Sequence, residues 1–370
     1  MNTATVPPLT GAAFDELAET IAAGASIVGI GESTRFSREV FGTQDQLFRR
    51  LVRHHGFRAL AVQDSAGVGA RLDAYVNGGE GSAEDALADA WRPQRTAEMA
   101  GALEWIRAFN QDHADDPVRI FGVKPVQAGP ADYDAVLDHV RLSAPERLAE
   151  LAGHLEPIRT AHRLDEHVQR AQGVHPGRPF AEHARDALAL VSAVPGAEGD
   201  IVARMRLIVA FHERSVAGRD NYAGDAVTWA DAIDEWAGRR VVYWDGIAHT
   251  SATEVTLGMA PERGPQATVG SVLRGRHGSA YVSVAIGFHH GDLGVHAVPA
   301  PGADLVDARL PEGWSDPRRD DRDGPAKLRV ISGVYDPSHD GTGFLAVDSL
   351  ADAFDALVHF REASPVRWLP

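Results

Sequence analysis

The residues of this chain best suited to chemistry stand directly after short apolar runs. Ser26 to Ile30 reads as a buried strand and leads through Gly31 into Glu32, Ser33, Thr34 and Arg35. Phe57 to Val62 is followed by Gln63 and Asp64, and Val118 to Val123 by Lys124. Arg240 to Trp244 is followed by Asp245 and then His249, while Ala280 to Ile286 leads towards His289 and His290. An imidazole supported by a carboxylate can move a proton near neutral pH, and fixed cations can hold negative charge that develops on a substrate. Asp245 or Glu32 would support His249 in that role. Plainer uses exist for the same residues: Glu32, Ser33 or Thr34 would suit the start of a helix, Arg35 could simply neutralise Glu32, and His249 could be a hydrogen-bonded core histidine. Neighbours leaving a strand point opposite ways, so at most one of His289 and His290 should reach a substrate.

Stepping outward, apolar strand runs alternate with amphipathic stretches such as Glu39 to His55, a βαβ rhythm that predicts an α/β fold with a parallel-rich central sheet wrapped by helices. Parallel strands present their loops at their carboxyl ends, so Glu32 to Arg35, Gln63, Asp64 and Lys124 should converge on one rim. From Asp132 to about Trp236 the pattern turns helical and charged. The expected organisation is therefore a first part of the core over residues 1–131, a helical insertion or cap over 132–237, and a second part of the core over 238–370. Strands are also expected near Leu328 to Gly333, and Pro299 to Pro325, rich in Pro, Gly, Asp and Arg, reads as a long surface loop.

Other chemistries lack their signatures. Gly29-x-Gly31 reads as a strand-end turn without the third glycine and acidic partner of a dinucleotide site. Gly270-Ser271-Val272-Leu273-Arg274 is not a nucleophile elbow. His154, His162, His167, His175 and His183 contain no His-Glu-x-x-His, so no metal site and no cofactor are expected. The chain has no cysteine, which removes disulfides and cysteine nucleophiles. Across 370 residues the net charge is -16, which disfavours nucleic acid and anionic membrane as partners. No targeting or membrane-spanning segment stands out, and a cytoplasmic protein is expected.

Several segments together resemble the erythromycin esterase family. Gly31-Glu32-Ser33-Thr34 matches the family's Gly-Glu-(Ala/Ser)-Thr-His, and Gly56-Phe57-Arg58-Ala59-Leu60-Ala61-Val62 its second strand. Arg95-Thr96-Ala97-Glu98 and Leu103-Glu104-Trp105-Ile106-Arg107 follow in order, then Arg219-Asp220, Val241-Val242-Tyr243-Trp244 and a C-terminal stretch from Phe354 to Arg367. The resemblance implies water activation by a histidine without an obligatory metal. It also implies departures. Arg35 stands where the family has its base histidine, Gln44 where it has arginine, Gln63 where it has glutamate, Gly246 where it has the first histidine of a later motif, and Lys124 where aspartate is usual; Glu32 and His249 match.

Arginine cannot accept a proton at neutral pH. The replacements Arg, Gln, Gln and Lys are nonetheless all hydrogen-bonding groups, which favours a rebuilt pocket over decay. The expected catalytic residues are Glu32, Arg35, His249 and Asp245. The expected substrate-binding residues are Gln44, Gln63, Asp64, Lys124, Arg219 and His289. The expected function is a non-hydrolytic step, a cyclisation, elimination or isomerisation, on a bulky and mostly neutral polyketide- or macrolide-like molecule in secondary metabolism. The alternatives are an ester or lactone hydrolase using His249, and a non-catalytic binder.

Overall fold

The computed structural model describes residues 11–175, 177–215, 217, 225–320 and 322–370. Arg219 lies outside the described residues. Eleven strands are present among them: β1 (Ile27–Glu32), β2 (Ala59–Ser65), β3 (Arg119–Lys124), β4 (Val241–Gly246), β5 (Thr256–Leu257), β6 (Tyr281–Asp292), β7 (Ala297–Val298), β8 (Gly313–Ser315), β9 (Ala326–Arg329), β10 (Phe344–Val347) and β11 (Ala356–Ala363). The main sheet runs β3-β2-β4-β1-β6-β11-β8, with β7 paired to β6. The pairs from β3 through β11 are parallel, and only β8 and β7 join antiparallel. The α/β fold with a parallel-rich sheet is the one expected.

The centre of the sheet follows from sequence. β1 lies between β4 and β6 and is covered on both faces, which is why its run is apolar without alternation. Val28 and Ile30 pack with Val62, Trp244 and the helix α2, named here by its range Arg38–His55, through Val40, Leu47, Phe48 and Leu51. On the other face Ile27 packs with Ala61, Tyr243, Tyr281 and Trp229. Ser37 caps α2, accepting from the Val40 N–H, so the capping role open to Glu32, Ser33 and Thr34 belongs to a later residue.

Several strands run further than the apolar pattern indicates. β1 continues through Gly31 to Glu32, with Gly31 paired to Asp245 and Ala285, so Gly29-x-Gly31 is strand and not a turn. Its glycines are there for close approach: a β-carbon at Gly31 would lie 2.1 Å from Thr250 Oγ1 and 2.9 Å from Ile247 Cα. β2 contains Gln63 and Asp64, β4 contains Asp245, and β6 extends to Asp292, so His289 and His290 are in a strand and not in the loop after it. Pro299 to Pro325 is not loop throughout, because it supplies β8, an edge strand paired to β11. The strand expected near Leu328 is β9, which belongs to a separate antiparallel sheet, β5-β10-β9.

The chain divides into two compact units. One is formed by the chain as far as Lys124 and again from Ala223 onward, and the other by Pro125–Tyr222. The second is helical, with its own core of Tyr133, Val136, Leu155, Phe180, Ala184, Met205 and Ile208. Sequence placed the helical segment at 132–237. The helix Ala226–Asp234 belongs instead to the sheet unit, because Trp229, Ala230 and Ile233 pack against Val241 and Tyr243. Among the described residues no helix is long and apolar enough to cross a membrane.

Candidate functional site

Four strands deliver the site, all within the sheet unit. Glu32 ends β1, Gln63 and Asp64 lie near the end of β2, Lys124 ends β3, and Asp245 lies one residue from the end of β4. His249 sits on the one-turn helix Ile247–Thr250 that follows. Pairing between β2 and β3 is regular from Ala59 to Val62 and then shifts, so that Ser65 meets Lys124. Such an irregularity re-aims side chains, and here it falls on Gln63 and Asp64.

Arg35 organises the cluster. Its Nε is 3.1 Å from Glu32 Oε1, its Nη2 donates to Asp245 Oδ1 at 2.9 Å, and its Nη1 donates to Gln63 Oε1. Its guanidinium carbon lies 4.4 Å from the centre of the Trp91 ring. Asp245 is fully covered, and accepts also from the Tyr243 hydroxyl and from the Gly246 N–H at 2.7 Å. Gly246 leaves the space for this arrangement, since a β-carbon there would stand 3.3 Å from Arg35 Nη2. A histidine at 246 would crowd the arginine. Arg35 and Gly246 are therefore sterically matched.

The amide of Gln63 couples Arg35 to His249. With Gln63 Oε1 accepting from Arg35, its Nε2 faces His249 Nε2 at 3.5 Å, a long contact whose polarity depends on the imidazole tautomer. Burial holds His249 below the usual histidine range; Asp245 opposes that shift, and Arg35 and Lys124 add to it. The ring is a neutral base at pH 7. Burial raises Glu32 to about 7, with Arg35 opposing, Asp245 reinforcing, and a hydrogen bond from Gln44 opposing. Glu32 thus exchanges its proton near neutrality, while Arg35 remains a fixed cation.

The remaining expected residues fall into different positions. Gln44 is buried on α2 and donates to the Ile30 carbonyl at 3.0 Å as well as bonding Glu32, so it orients the carboxyl from behind. Asp64 accepts the N–H groups of Ser65 at 2.7 Å and Trp91 at 2.8 Å, which pins the segment carrying Trp91. Lys124 Nζ lies over the rings of Trp91 and Trp229. His289 is not brought to this cluster. Its Nδ1 is 3.0 Å from His290 Nδ1, and its charged neighbours are Arg361, His290 and Arg329. The two rings meet edge to face, 5.2 Å apart at 86°. Sequence reasoning missed Trp91, Tyr243 and Trp229 as site residues. Only Tyr243 had a signal: strand periodicity puts it on the face of Asp245.

The sequence profile of the erythromycin esterases matches residues 52–363. The chain belongs to the erythromycin esterase family. Glu32 and Arg35 lie before the matched stretch, and their correspondence rests on the Gly31-Glu32-Ser33-Thr34 resemblance. Among solved structures, a Bacillus cereus protein aligns over 100% of this chain and 96% of its own, with a TM-score of 0.65 and 18% identity. A succinoglycan biosynthesis protein aligns over 94% and 91%, with a TM-score of 0.59 and 19% identity. The erythromycin esterase EreC, as a histidine-to-asparagine mutant in its open conformation, aligns over 94% and 93%, with a TM-score of 0.56 and 15% identity. At these identities the likeness is one of fold. No curated protein sequence matches the chain.

Proposed function

We propose that this member of the family carries out a non-hydrolytic proton-transfer step, an isomerisation, elimination or cyclisation, on a polyketide- or macrolide-like small molecule in secondary metabolism. The observation that carries this reading is Arg35 itself. By its resemblance to the family motif it stands where a water-activating histidine is expected, and it lies against Gly246 and is tied to Glu32, Asp245 and Gln63. A decayed pocket has no reason to keep such a fitted network. In the proposed step His249, neutral at pH 7, takes a proton from the substrate. Glu32, close to neutrality in its titration, returns one, and Arg35 supplies the fixed positive field. The substrate class rests on family membership.

One observation favours a second reading, hydrolysis of an ester or lactone: a neutral His249 beside an amide can also take a proton from water. Mass spectrometry of the protein incubated with macrolactones and with linear polyketide precursors separates the two. An isomer or the loss of water supports the proposal. The gain of one water, abolished in His249→Ala, overturns it in favour of hydrolysis, and a bound but unchanged ligand overturns it in favour of a binder.

A further inference from the structure

The chain has 36 basic residues, and only two are lysines, Lys124 and Lys327. Lys327 is on the surface, paired with Asp304 at 2.9 Å. Lys124 is half-buried at the site, and among the described residues it makes neither a hydrogen bond nor an ion pair within 4 Å. Its ammonium lies 4.7 Å from the Trp91 ring centre and 5.6 Å from that of Trp229. The charge of Asp64 acts on it, yet that carboxylate already accepts two backbone N–H groups. Arg35 is in the opposite condition, its charge met by Glu32 and Asp245. Of the two site cations, Lys124 is the one that no described residue pairs.

A second, independent observation stands beside it. Trp229 is 5% exposed, and its Nε1 is buried with no hydrogen-bond partner among the described residues. A buried indole N–H normally finds an acceptor. The same ring lies 5.2 Å from that of His249 and flanks Lys124, so its unmet donor belongs to the wall of this site. The two aromatic faces hold the ammonium by cation–π attraction, a setting that suits an electrostatic anchor.

We infer that Lys124, between Trp91 and Trp229, anchors a planar oxyanion of the ligand, a carboxylate or an enolate on a flat conjugated segment, with the Trp229 Nε1–H as the second donor. This deepens the proposed function and rests on its placing the substrate at the Arg35 cluster. It also changes the expected ligand from mostly neutral to one that carries an acidic group.

The scarcity of lysine provides the test. Reductive methylation with isotope-labelled formaldehyde keeps each amine charged and marks only Lys124, Lys327 and the terminal amine. The Lys124 signal is assigned by its loss in Lys124→Arg. It is expected upfield of the Lys327 signal because of the indole ring currents. Titration with naphthoate should shift it, whereas naphthamide, of the same shape without the charge, should not. By calorimetry, naphthoate should bind at least tenfold more tightly than naphthamide. Lys124→Gln should erase that preference, Lys327→Gln should leave it intact, and Trp229→Phe should weaken naphthoate binding three- to tenfold. A preference unchanged in Lys124→Gln, or no difference between the two probes, overturns the inference. Failure of the proposed reaction is read separately: naphthoate preference without product formation from any polyketide sinks the reaction alone, and product formation without the preference sinks the oxyanion anchor alone.

Discussion

Arg35 is held by two carboxylates, and removing it would leave them facing each other in a covered site. Glu32 and Asp245 have side chains 12% and 0% exposed, so water offers little relief. Arg35→Met is therefore expected to cost about 3–5 kcal/mol, as for other broken buried ion pairs. Adding Asp245→Asn should recover part of that loss, because it removes the charge stranded on Asp245. Urea denaturation of the single and double variants measures both; full additivity would show that the pairing is not energetically coupled. At this scale the sequence was legible wherever a polar residue follows an apolar strand, and so it located Glu32, Arg35, Gln63, Asp245 and His249. It was not legible for Trp91 or Trp229. Trp91 precedes a short turn over Arg92–Gln94, and Trp229 sits on a helix whose spacing is that of an ordinary buried face. Only tertiary packing brings them to Lys124.

At the scale of elements, the site depends on how closely the turn carrying His249 lies against β1. Gly31 permits that approach, and its position is opposite Asp245 in β4. Gly31→Ala would force its new methyl into Thr250 Oγ1 and the Ile247 backbone. The one-turn helix would have to shift, at an overpacking cost of about 1–3 kcal/mol. His249 would move with it, while Arg35, held from β1, β2 and β4, would stay. A fall in kcat with little change in KM, together with the lowered unfolding midpoint, is the expected outcome; wild-type kcat in a destabilised protein would mean that the turn does not position the base. The main strands were legible because each is a continuous apolar run. Their polar ends were not, since Gly31, Gln63, Asp64 and the His289 region are drawn into the sheet by neighbouring strands that local pattern does not reveal. The small sheet was hidden for a related reason: β5, β9 and β10 are two to four residues long and pair across large sequence separations.

For the whole molecule, burial of titratable groups sets opposing responses to pH. Burial raises Glu32 to about 7 and Asp307 to about 6. Each therefore binds its proton more tightly in the folded state, and the stability this gives is complete below the unfolded carboxyl value and lost as pH rises to 7 and 6 respectively. The loss is roughly 3 kcal/mol for each group. Two histidines act in the other direction. Burial lowers His212 to about 3 and His359 to about 4, so each stays neutral in the fold. Their stability is present above the unfolded value of about 6.5 and is lost as pH falls through that window. His212 belongs to the helical unit, where it bonds the Tyr133 hydroxyl at 2.8 Å, whereas the other three groups belong to the sheet unit. With these values the two carboxyl losses and the two histidine gains nearly cancel between about pH 4.5 and 6.5, so stability measured by denaturant between pH 3 and 8 should climb from acid pH to a broad plateau. Glu32→Gln with Asp307→Asn removes the losses and should turn that plateau into a continued rise up to about pH 6.5. His212→Gln keeps a hydrogen-bonding group for Tyr133 but cannot titrate, and it should flatten the acid rise of the helical unit alone. A plateau that persists in the carboxyl double variant would mean that these acids titrate normally in the fold, and Glu32 would then be an ordinary carboxylate at pH 7, unable to return the proton that the proposed reaction requires of it.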